Sequence, residues 1–438
     1  MKNDFTVLIV SSVWWSAITR AALEFIESGV SVHAICPPGH SLHCLDGIKS
    51  FSRYPYFAAP GVLAEAVARI RPDLIVPADD RAVLALHQAH AEADPGTEAG
   101  RLCRETITRS LGQPEFFSYA QTRLKLIDAL RARGVPTPAA AALNTAQDLR
   151  AWCAQTPGPW VLKRDRSWGG SGVVIADTPP EAMAAFRRLS QPARMACALR
   201  VLLADRDIYS FMEASSRRPM PVMAQAHVTG MPANIMVACW RGEVIATLGA
   251  NVVAYQGRTG AATVIEITEA ADMEHAARVA CGSLKLSGFF GLDFVRCART
   301  GTYHFIEMNP RLTQIGHLCH NGTTLIRGPV SAGIAHAVGF RMDRHSMAAP
   351  CPGGGTAAPP LATPWLGRPA GGTPAAQHAL RQIGGPQRGH GQAFHPAAGG
   401  HGYRHAAGPP VSPLPRYHQS AKHRHANGPH GITMRPVA

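Results

Sequence analysis

The chain has 438 residues, 46% of them apolar, and a formal net charge of +14. That is enough apolar sequence for more than one core, yet no run reaches the length of a membrane span, and the first residues do not read as a leader. One Lys and eight Arg after Asp343 meet no Asp or Glu and carry +9 of that charge, so the body, at +5, does not argue for nucleic acid.

The first elements alternate. "FTVLIVSS" reads as a buried strand and "ITRAALEFIESG" as an amphipathic helix stopped at Gly29. "VSVHAICP" is the next strand, "GVLAEAVARIRP" the next helix and "DLIVPADD" a strand ending in carboxylates. This βαβαβ order predicts a parallel sheet with helices on both faces. The first strand is followed by "SSVWWSA" rather than a glycine fingerprint, so a dinucleotide site of that type is excluded. Asp79 and Asp80 stand where open α/β sheets place ligands, and a helix N-cap explains them equally well.

From "SYAQTRLKLIDALRARGVPTP" a helix is expected, with Gly134 as its stop. "PWVLKRDRSWGGSGVVIA" then reads as a strand–loop–strand hairpin, which excludes a Walker A loop because that motif opens a helix. Gly169, Gly170 and Gly172 allow backbone N–H groups to face one anion, with Lys163 adding a point charge. A plain glycine turn beside a surface lysine is the other reading. Two strand-like stretches flank Gly242, and "GLDFVRC" and "YHFIEMN" form a further hairpin across the turn "ARTG". The apolar Phe305 and Ile306 lead into Glu307, Asn309 and Arg311 at every second position, so that they share one face. Asp293 on the partner strand can join them. Two carboxylates and an amide oxygen are hard ligands that suit magnesium, or manganese in its place, and Arg311 fits beside them if phosphate lies between. No Ser–His–Asp or Cys–His nucleophile set is evident. The ten cysteines, without CxxC or zinc spacing, favour reduced thiols in a cytoplasmic protein.

The order Lys163, "SWGGSGV", "MAQAHV", "GLDFV" and "FIEMNPR" resembles the ATP-grasp superfamily over roughly residues 1–340. It looks most like the branch of carbamoyl phosphate synthase large-chain domains and biotin carboxylase. The resemblance implies an α/β pre-ATP-grasp domain over 1–110 and an α+β ATP-grasp domain of two subdomains over 111–343. Within the latter, 111–224 would hold a linker helix and the lid, and 225–343 the metal-binding half. It also implies roles. Lys163 would meet the α- and β-phosphates, and Ser167, Gly169, Gly170, Ser171, Gly172 and Val173 would close over the β- and γ-phosphates. Gln225, His227 and Val228 would meet the adenine edge. Asp293, Glu307 and Asn309 would hold magnesium, and Arg311 would face the transferred phosphoryl group. Two departures are visible. Arg123 stands where the family has Lys, and Gln225 where the hinge has Glu. The implied activity is ATP-dependent activation of a small-molecule carboxylate as an acyl phosphate, attacked by an amine or, more rarely, a thiol. A non-catalytic ATP-binding protein derived from such a ligase is the alternative. "YQGRTGAATV", with Arg258, is a candidate acceptor loop, and Thr313, His317 and His320 follow the metal strand.

Residues 344–438 are rich in Gly, Pro, Ala, His and Arg with no apolar period, the composition of a disordered tail or of a shifted reading frame. The body is expected to close with a helix carrying Ile334, Ala335 and Val338.

Overall fold

The computed structural model describes residues 5–55, 59–165, 172–191, 199–200, 202–203, 211, 220–255, 262–320 and 324–326. The tail, the expected closing helix and loop residues Ser167, Gly169, Gly170, Ser171 and Arg258 lie outside them. Every described residue belongs to one unit of the chain, Met1–Leu366.

The chain opens with β1 (Thr6–Val10), α1 (Ala17–Glu27) and β2 (Ser31–Cys36). All five residues of β1 are buried, as an interior strand of a parallel sheet demands. Helix α1 ends where expected, with Gly29 at φ 77°. A further strand, β3 (Ile48–Arg53), follows, and then α2 (Ala59–Ile70), β4 (Leu74–Pro77), α3 (Asp80–Glu92) and α4 (Glu98–Leu111). The parallel sheet runs in the order β3-β2-β1-β4. Strand β3 corrects the expected alternation, because it pairs parallel to β2 with only a 3-10 turn at Ser41–Cys44 between them. "IKSFSR" alternates half-buried and exposed residues, so it presents no apolar run.

The expected single helix before "GVPTP" is two, α5 (Phe117–Gln121) and α6 (Arg123–Arg131). Thr122 adopts an extended backbone between them, φ −126° and ψ 100°, and breaks the ladder. Next come β5 (Ala140–Leu143), α7 (Ala146–Gln155), β6 (Trp160–Arg164), β7 (Val173–Ala176), α8 (Pro179–Ser190) and β8 (Val222–Ala226). Strands β6 and β7 form the expected antiparallel hairpin in a sheet ordered β5-β8-β6-β7.

The last sheet holds β9 (Gly230–Trp240), β10 (Glu243–Tyr255), β11 (Ala262–Thr268), β12 (Gly288–Cys297) and β13 (Tyr303–Asn309), with α9 (Ala271–Leu284) packed on it. Its order is β11-β10-β9-β12-β13. The region read as two strands around Gly242 therefore contains three. Only His227–Thr229 separates β8 from β9, too short a gap to register as a break.

One apolar core joins the first sheet to the last. Val7, Ile9, Val32 and Phe25 pack in a cluster with Met236, Ala238 and Phe289. The Phe25 and Phe289 rings meet edge to face at 6.1 Å. The opposite face of β1, Leu8 and Val10, is covered by residues of α2, α3 and α4. This arrangement fixes the carboxyl ends of β1 and β4 beside the end of β13.

Candidate active site

Strand pairing builds the site. Asp293 on β12 lies in register with Glu307 on β13, and Gly291 with Asn309. Asn309 donates from Nδ2 to Asp293 Oδ2 at 2.9 Å. Arg311 lies past the end of β13, beyond Pro310, so strand alternation alone does not place it. A turn does. Its amide bonds Asn309 O at 2.8 Å, and its Nη2 donates to Asn309 Oδ1 at 3.2 Å.

Two cations approach the same carboxylates from the other elements. Arg123 is the first residue of α6, directly after the break at Thr122. Its Nη2 donates to Glu307 Oε1 at 2.7 Å and its Nη1 to the Arg164 carbonyl at 2.7 Å. Asp165 lies 3.7 Å from the same guanidinium. Burial alone would lower Arg123, but Glu307, Asp165 and Asp80 outweigh it and hold the group above its ordinary value. Lys163, on β6, is 4% exposed and reaches across to the second sheet, with its Nζ 3.5 Å from the Ile306 carbonyl. Burial, and less so Arg123, brings its ammonium down to about 8, against the pull of Glu307 and Asp293. It is therefore still a cation at neutral pH.

Asp293 shows the opposite strain. Burial first, and then the neighbouring Glu307, push its carboxyl up to about 7, although Asn309, Arg311 and Lys163 all favour the anion. Asp293 and Glu307 are held side by side, with Glu307 already paired to Arg123, and a divalent cation would meet the negative charge that remains on the pair. Among the described residues no three His, Cys, Asp or Glu side chains cluster to hold a metal, so Asn309 must complete any oxygen set built on Asp293 and Glu307. The donors fit magnesium by type. Asp293 also lies in register with Asn234 on β9, whose Oδ1 is buried and has no hydrogen-bond partner among the described residues. Nothing in the sequence marks Asn234, since its place beside Asp293 comes from a pairing between distant strands.

These groups line one cavity of about 640 Å³. Arg123, Lys163, Asp293, Glu307, Asn309 and Arg311 stand on its polar side. Val161, Ile175, Ala226, Phe294 and Met308 give it apolar walls. Gln225, His227 and Val228 lie along it where β8 ends, and Val173 faces it from β7. Gln225 is 2% exposed, and its Nε2 has no partner among the described residues, as an amide awaiting a ligand would be. Gly172 is buried in the turn before β7, and its carbonyl accepts from Arg164 N at 2.9 Å. Tyr255 and Ala262, both within the candidate acceptor segment, line the cavity.

Three candidates turn elsewhere. His317 pairs with Arg20 Nη1 at 3.2 Å, and Thr313 Oγ1 donates to the Met236 sulfur at 3.1 Å. His320 lies 3.7 Å from Glu269. None of the three lines the cavity.

The carboxylates after β4 divide their work. Asp79 caps α3 and accepts from Ala82 N at 2.9 Å, Ser12 N at 2.7 Å and Ser12 Oγ at 2.7 Å. Asp80 points the other way and accepts from Arg311 Nε at 3.1 Å.

The family profile described as ATP-grasp domain matches residues 196–314. No curated protein sequence matches the chain. Among solved structures the fold is similar to an N5-carboxyaminoimidazole ribonucleotide synthetase in complex with ADP, at 15% identity and a TM-score of 0.55, over 76% of this chain and 77% of that one. It is similar also to the biotin carboxylase domain of the Hydrogenobacter thermophilus 2-oxoglutarate carboxylase in complex with MgADP, ADP and bicarbonate, at 15% identity and a TM-score of 0.53, over 78% of this chain and 71% of that one. The Aspergillus clavatus N5-carboxyaminoimidazole synthase is a third, at 14% identity and a TM-score of 0.51, over 79% of this chain and 80% of that one. With its N-terminal α/β sheet, its two antiparallel sheets about one cavity and the profile match on the second half of that cavity, the chain has the ATP-grasp fold of the biotin carboxylase and carboxyaminoimidazole synthetase type.

Proposed function

We propose that the cavity binds Mg-ATP and that the protein is an ATP-dependent ligase, activating a small-molecule carboxylate for attack by an amine or, less often, a thiol. One observation carries this reading. Two cations from the first half of the cavity, Lys163 and Arg123, meet two carboxylates and an amide from the other half in a single enclosure with apolar walls. In this reading residues 1–110, 111–224 and 225–343 are the pre-grasp, lid and metal-binding parts.

The base lies among the apolar walls against Gln225, whose amide offers both a donor and an acceptor, with His227 and Val228 at its edge. Lys163 neutralises the α- and β-phosphates from a buried position, where a charge acts most strongly. Asp293, Glu307 and Asn309 would hold magnesium, which would supply positive charge to offset the charge developing on the phosphates. Arg311 faces the γ-phosphate. A carboxylate oxygen of the substrate forms a bond to the γ-phosphorus while the bond from that phosphorus to the β–γ bridging oxygen breaks, and ADP leaves. The amine nitrogen then bonds to the acyl carbon, phosphate departs with the C–O bonding pair, and the amine gives up its proton. The walls protect the acyl phosphate by excluding water.

The alternative is a protein that binds nucleotide without turnover. Its support is the Arg123–Glu307 ion pair of 2.7 Å, which already occupies one oxygen of a metal ligand. A screen of amino acids and small acids, paired with amines, for ADP and phosphate release separates the two readings. Release that needs both magnesium and an acceptor supports the ligase. Tight MgATP binding with no release under any pairing supports the alternative. Absence of nucleotide binding overturns both.

A further inference from the structure

Arg311 is held on three sides. Its Nε donates to Asp80 at 3.1 Å, its Nη2 to Asn309 at 3.2 Å, and its guanidinium carbon lies 5.7 Å from the centre of the Trp15 ring. The side chain is 12% exposed. Nη1 has no protein partner among the described residues, and Arg311 lines the cavity. A guanidinium fixed on one edge and one face, with the remaining donors open to a cavity, is oriented before any ligand arrives.

Two of the three supports come from the N-terminal sheet. Trp15 belongs to the loop after β1, and Asp80 opens α3 after β4. The same loop fixes Asp80 indirectly. Ser12 gives Asp79 two hydrogen bonds of 2.7 Å, and Ser11 Oγ, which donates to the Val13 carbonyl at 2.8 Å, lies 3.3 Å from the same carboxylate. That network ties the start of α3 to the end of β1, so that the next residue, Asp80, projects toward Arg311. "SSVWW" thus has a use although it carries no glycine fingerprint: its serines fix the helix start and its second tryptophan supports the guanidinium.

We propose that Asp80 is a positioning residue for Arg311, and that the loop Ser11–Trp15 with Asp79 and Asp80 is a scaffold by which the N-terminal sheet completes the phosphoryl end of the site. The inference rests on the proposed orientation, with the base at Gln225 and the γ-phosphate at Arg311. Asp80 does not touch the nucleotide. It restrains Arg311 so that little side-chain freedom is lost when an anion binds.

Calorimetric titration of the full chain with MgADP and with the magnesium complex of the β,γ-imido ATP analogue tests this, because only the analogue carries a γ-group. In D80A, analogue affinity should fall roughly tenfold, the scale of one hydrogen bond to a charged group, while MgADP changes less than about twofold. D80N keeps an acceptor oxygen on a nearly identical frame and should recover part of the loss. In an R311A background, D80A should cost nothing further. The proposal is overturned if D80A weakens both nucleotides equally, if it costs as much without Arg311 as with it, or if analogue affinity stays at the starting level in both Asp80 variants. A wild-type chain that binds neither nucleotide sinks the ATP-site reading and this one together, whereas normal binding with indifferent Asp80 variants sinks only this one.

Discussion

The start of α3 after β4 and the paired strands β12 and β13 line the same cavity, yet the two regions treat a buried carboxylate in opposite ways. Asp79 is 8% exposed and satisfied by a backbone amide of its own helix and by both groups of Ser12. Among the described residues, Asp293 has one amide donor, a like charge in register beside it and, on the other side, an Asn234 oxygen with no hydrogen-bond partner. The first arrangement holds the fold together. The second sets a buried carboxylate against a like charge that Lys163 and Arg311 only partly offset, which costs stability until a ligand brings a further cation.

The comparison breaks most sharply at Glu307. Glu307→Gln keeps size and hydrogen bonding but halves the charge of the pair. Mg-dependent ATP turnover should drop more than roughly a hundredfold, with the circular dichroism spectrum unchanged; unaltered ATP consumption would refute the metal assignment. Next comes Asp79→Ala, which strips an acceptor from Ser12 and the cap from α3. It should lower unfolding free energy by about 2–4 kcal/mol in urea titrations. A loss below about 1 kcal/mol would mean that Asp79 is no anchor. Lys163→Ala should weaken MgADP binding about tenfold with the circular dichroism spectrum unchanged. An unaltered affinity would leave Lys163 outside the site.

The smallest effect sharpens the contrast through pH. The Asp293 carboxyl is raised from 3.8 to about 7, so the folded protein keeps a proton that the unfolded chain has already lost. Stability is therefore lost as pH climbs through that window, and the full penalty applies above about pH 7. Asp293→Asn removes the titration. It should stabilise the ligand-free protein near pH 8 and not near pH 4, while abolishing magnesium binding. Equal gains at both pH values would show that the carboxylate pair is not the source of the strain.

How much of this could be read from sequence depended on the range of the interaction. Glu307, Asn309 and Asp293 were legible because a hairpin turns period-two spacing into a shared face. Lys163 was legible from the strand that carries it. The same period gave the wrong reason for Arg311, since the strand ends at Asn309 and a turn brings the guanidinium back. Asp80 was singled out without its partner, because the bond to Arg311 spans 231 positions. Asn234 was invisible, since what distinguishes it is the strand beside it. β3 escaped notice because its alternating Lys49, Ser50, Ser52 and Arg53 give an edge strand no apolar run.

Arg123 joins three elements at one point: the start of α6, the end of β6 through the Arg164 carbonyl, and β13 through Glu307. In mechanical terms it is a pin between the β5–β8 sheet and the β9–β13 sheet. A sliding displacement by the length of one hydrogen bond would break a contact at one end or the other. Rotation about the guanidinium leaves both bonds nearly unstretched. Sliding the two sheets past each other at this point therefore costs a hydrogen bond to a charged group, whereas a small rotation about it does not.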